Sequence, residues 1–204
     1  MKLYYVLVTI FRPLARIVFP TKVIGKENLS KDKNYILCCN HISLLDPVYL
    51  IATHKRAVHF MAKDSLFQKK FFGWLFKQLG AYPVKRGASD MDSVRTTFTL
   101  LEQNEIVGIF PEGHRSKDGE VGNGKAGAVL IAHKAGIPIL PAGIYSRDGQ
   151  SKPFKKAVLC YGKPVTVSEL GLESGSSREL KDATKKLMAE ITALRDEAKD
   201  IVSG

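Results

Sequence analysis

The chain has 204 residues, 45% of them hydrophobic and 25% charged, a composition that fits one well-buried globular domain and argues against both intrinsic disorder and a polytopic membrane protein. Lys and Arg number 31 against 20 Asp and Glu, a formal net charge of +11. That balance favours phospholipid headgroups, phosphorylated substrates or nucleic acid as partners, a solvated basic face being the plainer account.

The first 20 residues, MKLYYVLVTIFRPLARIVFP, are apolar and aromatic but interrupted by Lys2, Arg12, Pro13 and Arg16. They fall short of the roughly 20 uninterrupted apolar residues that span a bilayer and carry no small-residue cleavage site. Tyr4, Tyr5, Phe11 and Phe19 beside Arg12 and Arg16 suit a helix lying in the lipid interface, rings buried and cations at the phosphates. A first helix packed on the core is the alternative, although Pro13 should break or kink it. We take residues 1–20 as an amphipathic membrane-interface segment and 21–204 as a single α/β domain.

Short apolar runs then alternate with amphipathic stretches, the pattern of strands and helices interleaved around a central sheet. The first predicted strand, 35–39, ends in Cys38 and Cys39, which with Cys160 fit neither a disulfide framework nor a zinc site and are expected to be core thiols in a reducing cytoplasm. His41 follows that strand, and Asp46 stands just ahead of Pro47, a favourable first helical residue. Both side chains should crowd one strand-to-helix turn. A carboxylate beside an imidazole fixes its tautomer and stabilises the imidazolium formed when it takes a proton. Asp before Pro is also a common helix cap, and with five His in the chain the pair is a weak signal alone.

A strand at 58–61 leads to Lys63 and to a helix over 64–79, whose many aromatic and aliphatic residues are interleaved with Lys69, Lys70 and Lys77. Part of this surplus should pack in the core, and part could meet lipid or line an acyl-chain tunnel. The strand 81–84 ends at Lys85 and Arg86. A helix over 89–104 should bury Met91, Val94, Phe98 and Leu101. The strand 106–110 then opens into Pro-Glu112-Gly113-His114-Arg115-Ser116, a carboxylate and a guanidinium at the sheet edge where open α/β folds bind ligands. Gly122-Asn-Gly-Lys-Ala-Gly has dinucleotide-loop spacing but follows a polar loop instead of a strand, so it is expected to be a flexible loop closing over substrate. A helix from about 126 to Gly136, strands at 139–144 and 157–161, and a long helix behind a Ser176/Glu179 capping box complete the chain.

Four ordered motifs carry a family resemblance: Asn40-His41 with Asp46 (NHxxxxD), Gly80 through Arg86 (GxxxxxR), Phe110 to Ser116 (FPEGTRS) and Ile137-Pro-Ile-Leu-Pro-Ala. The chain resembles the glycerolipid acyltransferases, most closely the 1-acyl-glycerol-3-phosphate acyltransferase branch. The resemblance implies a central mixed sheet flanked by helices, as in glycerol-3-phosphate acyltransferases. It further implies that His41 deprotonates the free hydroxyl of lysophosphatidic acid for attack on an acyl thioester, held in register by Asp46, with no acyl-enzyme, metal or bound cofactor.

Acyl-CoA or acyl carrier protein would be the co-substrate, and phosphatidic acid the product. Lys63, Lys85, Arg86, Glu112, Gly113 and Arg115 would bind substrate, with Lys63 or backbone N–H groups facing the oxyanion. The implied setting is the cytoplasmic face of an anionic membrane, peripheral or monotopic. His114 replaces the Thr usual in the third motif, which bears on the choice of lysolipid acceptor. A nucleic-acid-binding module is not expected, since the basic residues are scattered and no binding motif accompanies them. A serine hydrolase would need a GxSxG elbow that the chain lacks.

Overall fold

Ile36-Leu-Cys-Cys39 is a four-residue run with every side chain buried, which is what a strand covered on both faces requires. It lies within the sheet of the computed structural model, which describes residues 2–84, 90–147 and 152–204, the side chains of residues 2, 3, 16 and 72 excepted. In chain order the elements are α1 (Lys2–Val18), β1 (Thr21–Ile24), β2 (Ile36–Cys39), α2 (Asp46–Thr53), β3 (Val58–Lys63), α3 (Lys70–Gln78), β4 (Tyr82–Val84), α4 (Met91–Glu102), β5 (Ile106–Ile109), α5 (Gly127–Ala135), β6 (Ile139–Ser146), β7 (Ala157–Tyr161) and α6 (Ser177–Ser203). The sheet order is β1-β7-β6-β2-β5-β3-β4. Among the described strands, β6/β7 pair antiparallel and the other neighbours pair parallel, so the sheet is mixed, as the resemblance implied.

Period-two alternation divides the core into two layers. Leu37 and Cys39 join Tyr49, Leu50, Phe60 and Leu159 on the side covered by α2. Ile36 and Cys38 join Leu101, Val129, Leu187 and Ile191 on the side covered by α4, α5 and α6. The long helix α6 lies directly on β6: a Cβ on Gly143 would stand 2.2 Å from the backbone nitrogen of Arg195. Only glycine allows that approach.

The structure corrects several local expectations. Strand β1 went unpredicted because Thr-Lys-Val-Ile is short, half polar and at the sheet edge, where one face meets solvent. Helix α1 runs through Pro13. Thr9 and Pro13 are both exposed, so the carbonyl that loses its amide partner there opens outward. Its Tyr4 and Val8 cluster with Ala57 against the body of the fold.

The stretch 64–79 is split into a short 3-10 turn, Asp64–Leu66, and α3. A Cβ on Gly73 would stand 2.4 Å from the Phe67 carbonyl oxygen, so the helix folds back onto that linker. Helix α4 buries Leu101 and packs Phe98 against the core as expected, but it also buries Ser93 and Thr97 and leaves Met91 65% exposed. The Thr97 hydroxyl donates to Ser93 O and pairs with Tyr82 Oη at 2.8 Å, which satisfies polar groups that periodicity alone would have placed outside. At α6, Ser176 accepts the Glu179 amide as expected. The Glu179 carboxylate instead gathers the amides of Glu173, Ser174 and Gly175.

Candidate active site

Strands β2, β5 and β3 run parallel, so the loops that follow them leave one edge of the sheet together. His41 is two residues beyond β2, Glu112 three beyond β5, and Lys63 closes β3. Asp46 opens α2 as its first residue instead of capping it; Leu45 is the cap. Its buried carboxylate oxygen Oδ2 accepts from His41 Nδ1 at 2.8 Å and from the backbone N–H groups of Ile42 and Ser43 at 2.7 and 2.8 Å. Three donors on one oxygen fix the turn and the imidazole together. Because a carboxylate only accepts, Nδ1 carries the proton and Nε2 is left with its lone pair, the arrangement of a general base. The His41 side chain is 14% exposed, so a substrate hydroxyl can reach it.

Two features support the site from other directions. Phe110 stacks on it, centroids 4.0 Å apart and planes at 17°, and Phe60 stacks behind Phe110 at 5.6 Å. Asn40 is buried and pairs through its side-chain amide with both the N–H and the carbonyl of Ile144 at 2.8 and 3.0 Å, extending the β2/β6 ladder one residue past the strand. Cys39, buried beside Asp46 and Glu112, has its thiol pushed well above the ordinary range by burial first and those carboxylates second. Burial raises Cys38 likewise. Both are neutral core thiols, not nucleophiles.

Glu112 turns inward. It is 1% exposed, accepting the His41 amide at 2.9 Å on Oε1 and the Gly122 amide at 3.0 Å on Oε2. The carboxylate therefore braces the two loops. Ser116 N donates to His41 O at 2.7 Å, and Lys125 N to Pro111 O at 2.8 Å. Gly113, His114 and Arg115 are exposed on the loop so formed. Gly113 holds φ 72, and a Cβ there would meet the Lys125 side chain at 3.0 Å. Arg115, Ser116 and Glu112 line a cavity of about 310 Å³ at this edge. Lys63 is exposed two strands from β2, a separation of roughly 10 Å. Lys85 and Arg86 lie outside the described residues.

The family model described as Acyltransferase matches residues 20–145. The chain belongs to the acyltransferase family. It is 37% identical over 148 residues to the 1-acyl-sn-glycerol-3-phosphate acyltransferase of Bacillus subtilis, covering 71% of this chain and 73% of that one. A chloroplastic protein of the same name from Arabidopsis thaliana is 34% identical, covering 81% of this chain and 47% of its own length. The crystal structure of the 1-acyl-sn-glycerophosphate (LPA) acyltransferase PlsC from Thermotoga maritima superposes with a TM-score of 0.74 at 25% identity, over 98% of this chain and 80% of that one.

Two parts of this acyltransferase were not marked as site residues by its sequence. The Phe110 stack needs the β2 and β5 loops to meet, which no local pattern encodes. The second is on α6, where Arg195, its side chain 4% exposed, grips Glu120 through its two terminal guanidinium nitrogens at 2.9 and 2.7 Å and so ties down the loop that carries Arg115. The expected flexible glycine loop is packed in place: a Cβ on Gly124 would stand 2.6 Å from Met188. Among the described residues, no three His, Cys, Asp or Glu side chains converge on a metal site.

Proposed function

We propose that this acyltransferase moves a fatty acyl group from a thioester to the free hydroxyl of 1-acylglycerol 3-phosphate, giving phosphatidic acid. The observation that carries the reading is the His41 Nδ1 to Asp46 contact at 2.8 Å, which leaves Nε2 free at the sheet edge. The acyltransferases of Bacillus subtilis and Thermotoga maritima, named for this reaction, support the choice of acceptor.

In this mechanism Nε2 takes the hydroxyl proton as the oxygen attacks the thioester carbonyl. The tetrahedral oxyanion then collapses, the C–S bond breaks, and the imidazolium returns its proton to the leaving thiolate. Asp46 stabilises the imidazolium, and no acyl-enzyme forms. The His41, Ile42 and Ser43 amides of the turn are already donated to Glu112 and Asp46, so Lys63 is the donor assigned to the oxyanion, while Lys85, Arg86 and Arg115 hold the phosphate. Acyl-CoA and acyl carrier protein both deliver the required thioester.

Among the described residues, no helix is long and apolar enough to cross a membrane. We place the enzyme peripherally on an anionic, cytoplasmic membrane face. The outward side of α1 supports this, with Val6, Ile10, Phe11, Leu14 and Ile17 between 52% and 70% exposed, as do Phe71 and Trp74 of α3 at 66% and 49%. Arg12 is not a headgroup contact in this arrangement, since its guanidinium donates to the His54 carbonyl.

The deciding experiment incubates the protein and a His41→Ala variant with a long-chain acyl thioester and lysolipids with and without a terminal phosphate. Phosphatidate formation that is lost in the variant is the expected result. Undiminished turnover by the variant sinks the mechanism, and indifference to the phosphate sinks the acceptor.

A further inference from the structure

The turn Lys152-Pro-Phe-Lys155 closes through Lys155 N donating to Lys152 O at 3.2 Å, with Pro153 second and Phe154 third. Phe154 has φ 62 and is 71% exposed. A turn with Pro second and positive φ third ordinarily places Gly or Asn there, because a bulky side chain is penalised in the left-handed region. A strained, outward-pointing Phe is neither a packing residue nor a turn-former. Strain of that kind persists where function requires the side chain.

The surroundings narrow the partner. Lys152, Lys155 and Lys156 flank the ring, all three exposed, with no acidic residue between 152 and 161. The turn is held firmly in place: Phe154 N donates to Val18 O at 2.6 Å, and Ala157 N to Pro20 O at 3.0 Å. Its place on the sheet follows from register. Cys39 pairs with Ala142, and β6 continues to Ser146, opposite Ala157. The turn before Ala157 therefore projects from the edge that carries His41, beside the last turn of α1, where Leu14 and Ile17 are 53% and 70% exposed.

We infer that the 152–156 turn is a second membrane contact, with Phe154 inserting among acyl chains and the three lysines lying at anionic headgroups. An apolar tip ringed by cations matches a bilayer surface better than an acidic protein, which offers no apolar layer for the ring to enter. With α1 it would make two supports on the catalytic edge, orienting His41 toward the lipid. The inference rests on the membrane placement proposed above.

The test replaces the sole Trp (Trp74→Phe) and introduces Phe154→Trp in the full chain. With phosphatidylglycerol vesicles the emission should shift to the blue and be quenched by brominated lipid; with phosphatidylcholine it should not. Phe154→Asn should weaken vesicle binding about tenfold while leaving the thermal midpoint equal or higher, because Asn tolerates the positive φ. Replacing the three lysines by Gln should weaken it by roughly a hundredfold at low salt. Water-exposed emission from a sample that does sediment with vesicles overturns the second contact and leaves α1 standing. A shift with an acidic carrier protein but not with vesicles overturns it too. Failure of the unmodified protein to sediment with anionic vesicles removes both membrane contacts.

Discussion

His41 is held on three sides: by Asp46 at Nδ1, by the Phe110 ring, and by Glu112 through its own amide. A base fixed in this way loses little on reaching the transition state, and its removal should be costly. We expect His41→Ala to lower phosphatidate formation by about three orders of magnitude, and Asp46→Asn by roughly 10²–10⁴, measured at saturating substrates. Arg115→Ala should raise KM for the phosphorylated acceptor by about tenfold and leave a phosphate-free lysolipid unaffected, because in the proposed mechanism the guanidinium serves only to hold the phosphate. At this scale the sequence was legible for charge and spacing: His41, Asp46, Gly113 and Arg115 all stand at one sheet edge. It did not show that Glu112 would be buried, because the amides that Glu112 accepts come from His41 and Gly122, in different loops.

Among the elements, α1 and α6 bear most directly on the proposed function. The exposed side of α1 carries Ile10 and Ile17 at 67% and 70% exposure, so Ile10→Glu and Ile17→Glu should each weaken vesicle binding about tenfold in a sedimentation assay. Stability should stay within about 0.5 kcal/mol, as for other surface substitutions. Deleting the whole helix would be a poorer test, since Tyr4 and Val8 pack against Ala57. On α6, Arg195 secures the Arg115 loop through Glu120. Glu120→Gln should therefore raise KM for the acceptor several-fold with kcat held, a split that steady-state kinetics resolves. Helix existence was legible from periodicity, but the polar part of α4's buried face was not. Its Ser93 and Thr97 are buried because the Thr97 hydroxyl finds Tyr82 across the interface, a partner that lies outside any helical window.

At the scale of the whole molecule, the layer between α1, α2 and the sheet encloses His54, whose pKa falls from the ordinary 6.5 to about 4, by burial first and by the charges of Arg12 and Arg56 besides, against the opposing hydrogen bond to the Leu50 carbonyl. The folded chain holds this imidazole neutral, so as pH falls the unfolded state takes up the proton first. Stability is complete above about pH 6.5 and declines toward pH 4, by on the order of 3 kcal/mol from this group. Urea midpoints recorded between pH 7.5 and 4.5 should follow that decline. His54→Asn, which can still donate to Leu50 O, should flatten it.

Composition and motif order determined, without any coordinates, that this is an α/β chain whose polar chemistry sits just after its buried strands. The reason is physical: a strand covered on both faces must be apolar throughout, so reactive groups can only follow it. Only the tertiary structure decided which loops meet, that Phe110 backs His41, that Glu112 braces the two loops, and that Phe154 stands at the catalytic edge. Those relations depend on strand order and register, with β2 between β6 and β5. That order is set by packing between segments far apart in the chain, which local sequence does not encode.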